Sequence, residues 1–264
     1  MTSTERRKIV ERAARDVEVA LPAPGDELTQ DKEWVVAKTD DGWRKIRLHD
    51  YASVFSVPGL YERWVYEILG CRSPAEIRDR LRNALREAGV DPMGLRVFDL
   101  GAGNGYVAEE LAGLGVERFL GVDIHPEAAE AAERDRPGLY ERYVVGDLTS
   151  LDEDAVSVVE EFDANCLTCV AALGFGDIPP EVFAKAFDYL GEDGWAAFTI
   201  KQDFLDPKDD SGFSKLIRRM IAEGVLELAS QDEYVHRIST EGEELVYVAL
   251  IGRKRGEIDP GWIE

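Results

Sequence analysis

From residue 96 onward the chain switches repeatedly between short apolar runs and longer amphipathic stretches. Runs over 96–100, 118–123, 140–145, 162–167 and 195–200 read as strands, being short, apolar and bounded by turn formers. Between and after them, 106–114, 126–134, 152–160, 180–190 and 211–223 read as helices. Strands joined through helices cannot close as tight hairpins, so consecutive strands lie parallel and helices cover both faces. Two longer runs, 226–238 and 244–252, flank Thr240-Glu241-Gly242-Glu243 with no room for a helix, and read as an antiparallel hairpin. The fold class expected is α/β: a doubly wound, mainly parallel sheet with a C-terminal antiparallel hairpin.

The region before residue 95 has another rhythm. Residues 5–18 are expected as a short charged helix, stopped by Leu21-Pro22-Ala23-Pro24-Gly25. Alternating runs at 33–38 and 43–48 flank Asp41-Gly42 and read as a β-hairpin, too small to stand alone. Pro58-Gly59-Leu60 opens a helix over 61–69, and Ser73-Pro74-Ala75-Glu76 starts another, with Ser73 as its cap and Ile77, Leu81, Leu85 and Val90 on its buried face. The expected organisation is an N-terminal region over 1–94, a core over 95–256 and a short tail over 257–264.

Charge narrows the partners. The chain carries 53 acidic and 31 basic side chains, a formal charge of -22. Such a surface repels phosphate backbones and anionic lipid headgroups, so neither nucleic acid nor a membrane is expected as partner. No apolar window is long enough for a membrane-spanning helix, and residues 1–20 lack the apolar segment of a signal peptide. Cys71, Cys166 and Cys169 are too few for a disulfide framework, and no metal site is expected. The expected compartment is the cytoplasm and the expected state a monomer or homodimer.

The chemistry concentrates at strand ends. Asp99-Leu100-Gly101-Ala102-Gly103-Asn104-Gly105 follows the first strand and opens a helix, so bare backbone and free N–H groups face a ligand. A dinucleotide fingerprint would need glycine at position 106, which is Tyr, and no Gly-Lys-Ser/Thr follows to meet a triphosphate. An acid ahead of the turn suits an amine or hydroxyls instead of a pyrophosphate. Asp123 ends the next strand, where a carboxylate accepts ribose hydroxyls, with Ile124 beside it. Asp147 ends the third and suits the amino group of an adenine, with Leu148 as apolar neighbour.

These segments together resemble the class I S-adenosylmethionine-dependent methyltransferases. The resemblance rests on 97–105, on Gly121-Val122-Asp123-Ile124-His125-Pro126-Glu127, on Val145-Gly146-Asp147-Leu148, on 162–167 and on 190–195, and covers 96–253. It implies a Rossmann-like seven-stranded sheet with a reversed terminal hairpin and S-adenosylmethionine as cofactor. It further implies a glycine turn against the methionine part and N-terminal helices as a lid, supplied here around Tyr51, Phe55, Tyr61 and Trp64. On this reading the sulfonium lies near Asn165 and Cys166. The DNA amino-methylating pattern (Asn or Asp, then Pro-Pro and an aromatic) is missing after the fourth strand, as is the Pro-Cys of the cytosine-carbon enzymes. The segment over 168–177 is small and apolar, which suits a small-molecule methyl acceptor; for a hydroxyl acceptor, Asp177, His125 or Tyr51 are the candidate bases. A protein side chain as acceptor, or a non-catalytic cofactor-binding protein, are the alternatives.

Overall fold

The computed structural model describes residues 17–22, 29–173, 177–205 and 212–263. The charged helix expected over 5–18 lies almost wholly outside the described residues, as do residues 174–176 of the acceptor-facing segment. Seven strands form one sheet in the order β6-β5-β4-β7-β8-β10-β9. They are β4 (Arg96–Leu100), β5 (Arg118–Asp123), β6 (Arg142–Val145), β7 (Cys166–Leu173), β8 (Trp195–Lys201), β9 (Leu226–Ile238) and β10 (Glu244–Lys254). The first five pair in parallel, whereas β10 runs antiparallel between β8 and β9. The chain leaves β4 through β5 to the edge at β6 and returns to β7 on the other side of β4. That reversal leaves an open crevice at the C-terminal tips of β4 and β7, where open α/β sheets bind ligands.

Helices α1 (Tyr51–Ser56), α2 (Ser73–Ala88), α3 (Tyr106–Ala112), α4 (Pro126–Asp135), α5 (Glu153–Phe162), α6 (Pro180–Asp188) and α7 (Gly212–Ala222) complete the described fold, with a π-helix at Glu62–Ile68. On one face of the sheet Phe183, Phe187 and Phe213 of α6 and α7 pack on Phe98, Phe198 and Leu250. On the other, Ile77, Leu81 and Leu85 of α2 pack on Val97, Phe119 and Ala249. So α2, set with the N-terminal region on sequence grounds, covers the main sheet. A smaller antiparallel sheet of β1 (Val19–Ala20), β2 (Trp34–Thr39) and β3 (Gly42–Arg47) packs Val35, Ala37 and Ile46 against Leu60 and Trp64.

Two local expectations need correction. Ser73 is not a helix cap: Arg72 holds that place, and the Ser73 hydroxyl instead meets Tyr234 at 2.5 Å and His236 Nδ1 at 2.6 Å. The fourth strand of the parallel set does not span 162–167. Phe162 is still in α5, which Asp163 closes in the left-handed conformation at φ 53°, so the strand starts at Cys166 and runs to Leu173. The helix wins because its last turn buries Val159 and Phe162 under the sheet.

The small sheet is locked to the main one by charge. Glu33 and Arg237 are 0% and 3% exposed and pair at 2.5 Å, and Glu33 also accepts the Thr240 amide at 2.6 Å. Removing one partner of such a pair strands a charge away from water, at a cost of about 3–5 kcal/mol. Glu33→Ala is therefore expected to lose that much stability in urea denaturation. Glu33→Leu combined with Arg237→Met should recover most of it, since no unpaired charge then remains.

Candidate functional site

A cavity of about 430 Å³ lies over the crevice between β4 and β7. Its floor is the turn at Gly101–Asn104 and its sides carry Asp123, Ile124, His125, Asp147 and Leu148. Its roof is Tyr51, Phe55, Tyr61 and Tyr66, and its far wall Val170, Ala171, Ala172 and Asp177.

The turn is bound to its neighbour strand before any ligand arrives. The amides of Gly101 and Ala102 both donate to the Val122 carbonyl, at 2.9 and 3.1 Å. Gly103 donates to Asp123 Oδ2 at 2.9 Å, and the other oxygen of Asp123 accepts the His125 amide at 3.0 Å. A carboxylate has about four lone-pair sites, so Asp123 keeps acceptor capacity toward the cavity. Burial pushes its pKa up, against these amide bonds that hold it down. The glycines are required by conformation and by close packing at once. Gly101 and Gly103 have φ of 68° and 54°, and a Cβ at Gly103 would lie 3.0 Å from Phe55 Cζ. The bare face of Gly103 thus meets the roof itself.

Asp147 and Leu148 line the cavity, and Oδ1 of Asp147 accepts the Thr149 amide and hydroxyl at 2.9 and 2.7 Å, which lowers its pKa. Asn104 is buried under the roof, its amide donating to Glu62 and, at 3.2 Å, to Asp135. The same Glu62 receives Arg136 at 3.0 Å, and Arg136 also reaches Glu109 at 2.9 Å and the Asn104 carbonyl at 3.1 Å. Tyr66 of the π-helix stacks on Tyr106 at 3.9 Å.

Four expected site residues lie elsewhere. Asp99 is buried beneath the turn, its carboxylate taken by the hydroxyls of Thr168 at 2.6 Å and Tyr140 at 2.9 Å. Gly105 faces Tyr140 and Arg136 instead of the cavity. Asn165 and Cys166 sit at the opposite end of the sheet. Asn165 Oδ1 accepts the amide of Arg96, the first residue of β4, and Cys166 begins β7 with no exposed surface. The physical reason is the late start of β7, which brings residues 170–172 to the tip instead. There Ala171 adopts φ 58° beside a register shift against β8, and its amide donates to Thr199 Oγ1 at 2.7 Å. A non-glycine residue in that conformation costs of order 1–3 kcal/mol and is typical of ligand-facing backbone.

Of the three candidate bases, Asp177, His125 and Tyr51 all line the cavity. The structure adds a residue that sequence reasoning missed: His49, whose Nδ1 lies 2.9 Å from Asp177 Oδ2. No local signal joins positions 49 and 177; only the tertiary fold brings them together. The Tyr51 hydroxyl is pushed well up by burial and by the Asp177 charge, so it stays protonated at neutral pH and acts as a donor. Among the described residues no three His, Cys, Asp or Glu side chains converge as a metal site.

The buried Asp99 has a measurable signature. Burial raises its pKa to about 6, more than the Thr168 and Tyr140 bonds lower it. The folded state then holds this proton more tightly than the unfolded chain, so the contribution of Asp99 to stability falls as pH rises from the ordinary carboxylate range to 6. The stability of wild type relative to Asp99→Asn is expected to drop by on the order of 3 kcal/mol across that window, read by urea denaturation.

A family model described as a methyltransferase domain matches residues 97–194. The ribosomal protein L11 methyltransferase of Alteromonas mediterranea is 38% identical over 73 residues, 26% of this chain and 25% of that protein. The ubiquinone biosynthesis O-methyltransferase of Burkholderia multivorans is 26% identical over 121 residues, 44% of this chain and 50% of that protein. The chain thus spans a quarter to a half of the length of these curated relatives. An S-adenosylmethionine-dependent methyltransferase from Clostridium acetobutylicum superposes with a TM-score of 0.50 at 14% identity, over 75% of this chain and 97% of that one, and shows a shared fold. The family match lies on the segment that forms the glycine turn, both acid-tipped strands and the far wall, so it is this part of the chain, residues 97–194, that is similar to a methyltransferase domain.

Proposed function

We propose that this chain transfers the methyl group of S-adenosylmethionine to an oxygen, nitrogen or carbon nucleophile of a small metabolite. The observation that carries this reading is the aromatic-walled cavity of about 430 Å³. It joins the glycine turn and the acids at 123 and 147 to the His49–Asp177 pair, and its size is that of a small-molecule site. An aromatic wall of Tyr51, Phe55 and Tyr61 suits a small apolar metabolite better than a folded protein segment. The Alteromonas relative is named for a ribosomal protein, the Burkholderia relative for O-methylation in ubiquinone biosynthesis; the small size and aromatic wall of the cavity favour an acceptor of the second kind.

The residues present fit the cofactor. The turn at 101–104 lies close under the roof, where larger side chains have no room, and takes the methionine part. Asp123, with acceptor sites left over from Gly103 and His125, takes the ribose hydroxyls, while Asp147 and Leu148 frame the adenine beside Ile124. When bound, the cofactor supplies an electrophilic methyl on a sulfonium. The protein's part is to orient the acceptor in line and exclude water, for which the aromatic roof serves. For a hydroxyl acceptor, the His49–Asp177 pair is the base, with Asp177 beside Nδ1 to stabilise the imidazolium that forms. His125 packs on Tyr51 at 6.2 Å between ring centres and shapes the entrance.

Two measurements test this. Asp123→Ala is expected to weaken S-adenosylhomocysteine binding at least about tenfold in calorimetry with the fold retained in circular dichroism, as the loss of a charge-assisted hydrogen bond implies; unchanged affinity would remove the ribose assignment. Asp177→Asn should lower turnover of methyl-labelled cofactor, assayed against a metabolite panel, by roughly 10²-fold while leaving cofactor affinity intact. Tight cofactor binding by the wild type with no transfer to any acceptor would instead mark a binding protein.

A further inference from the structure

Behind the roof lies a second, smaller space of about 40 Å³, whose walls share His49, Tyr51, Tyr61, Ala171 and Asp177 with the main cavity. Its inner end is polar and belongs to no part of the cofactor site. Gln30 Nε2 donates to the Tyr247 hydroxyl at 2.8 Å, which leaves Tyr247 its own proton to give. The other atom of that amide, Gln30 Oε1, is buried without a hydrogen-bond partner. An orphaned buried carbonyl is destabilising, and a ligand N–H or O–H would relieve that cost. His236 stacks on Tyr247 at 4.1 Å and is held through Nδ1 by Ser73 at 2.6 Å. Behind it, Ser73 also meets Tyr234, so ring and wall are fixed before a ligand enters.

The charges around this chamber are already spent. Arg237 gives its guanidinium to Glu33 and to the Ile238 carbonyl, at 2.9 Å for the latter. Asp177 is paired with His49. An anionic group would meet an Arg237 already neutralised by Glu33 and would face Asp177. A cation would face Arg237. The space holds roughly two or three water-sized groups, so it takes a functional group and not a ring.

We propose that this chamber is the specificity end of the acceptor site, taking a neutral group that donates to Gln30 Oε1 and accepts from the Tyr247 hydroxyl, a carboxamide or a hydroxyl, while carboxylates and phosphates are refused. This rests on the methyl-transfer reading, because the wall shared with the main cavity is where an acceptor would lie. Gln30 and Tyr247 then select the acceptor without touching the reacting atom.

The test uses benzamide, benzoate and toluene as probes on the full chain saturated with S-adenosylhomocysteine, read by saturation-transfer NMR. Benzamide is expected to bind about tenfold more tightly than benzoate or toluene, the worth of one buried hydrogen bond. Gln30→Leu should erase that preference while S-adenosylhomocysteine affinity stays unchanged; Tyr247→Phe, which keeps the stacked ring, should do the same. Equal or tighter binding of benzoate, absence of benzamide binding, or a preference that survives both substitutions overturns the proposal. Failure of S-adenosylhomocysteine to bind the wild type would instead sink the methyl-transfer reading, so the two failures are distinct.

Discussion

The guanidinium of Arg136 has no exposed surface, and the cofactor end of the molecule is arranged around that fact. A cation removed from water is stable only where carboxylates and carbonyls surround it. Here they come from Glu62 of the π-helix, Glu109 of α3 and the carbonyl of Asn104 in the glycine turn. Asn104 returns the favour by donating to Glu62 and Asp135. Roof, turn and the end of α4 are thereby one electrostatic unit. Burial still pushes the Glu62 pKa up, though Arg136 opposes it, which is the mark of a network whose members depend on one another. Arg134 extends it by donating to the Phe55 carbonyl at 3.1 Å, so the aromatic ring over Gly103 is tied to the same cluster.

The opposite wall is set by backbone instead of charge. Because β7 begins late and its register against β8 shifts between Cys169 and Leu173, residues 170–172 leave the ladder and present Ala171 and Ala172 to the cavity before pairing resumes at Leu173. Small side chains there leave room that a larger residue would take. A Cβ on Gly101 would already lie 3.1 Å from Ala172 and 3.0 Å from Ile178. The N-terminal sheet closes the remaining side, and the buried Glu33–Arg237 pair anchors it to the C-terminal hairpin. Cofactor end and acceptor end are thus built by different forces on different parts of the chain.

Much of this was legible in residue order. The five strand–helix alternations, the closing hairpin, the glycine turn and the acids at 123 and 147 are all local patterns, and local patterns survive into the fold. The errors fell where two local signals compete. Phe162 suits a strand or a helix end equally well, and only burial of α5 against the sheet decides for the helix, which moves Asn165 and Cys166 to the base. Ser73 reads as a cap by its neighbours, yet its hydroxyl serves His236 and Tyr234, more than 160 residues away. Asp99 reads as a ligand contact and is a buried support, because Tyr140 and Thr168 reach it first.

The sequence by itself determined the sheet, its direction of winding and the glycine turn with acids at the neighbouring strand ends, since period, turn type and strand-end acids are short-range properties that physical chemistry reads one segment at a time. Only the tertiary structure decided which side chains meet beyond it. The pairing of His49 with Asp177, the orphaned Gln30 carbonyl beside Tyr247 and the spent charge of Arg237 arise from surfaces that touch after the N-terminal sheet docks on the hairpin. Contacts of that kind are fixed by packing of whole elements, and no spacing along the chain encodes them.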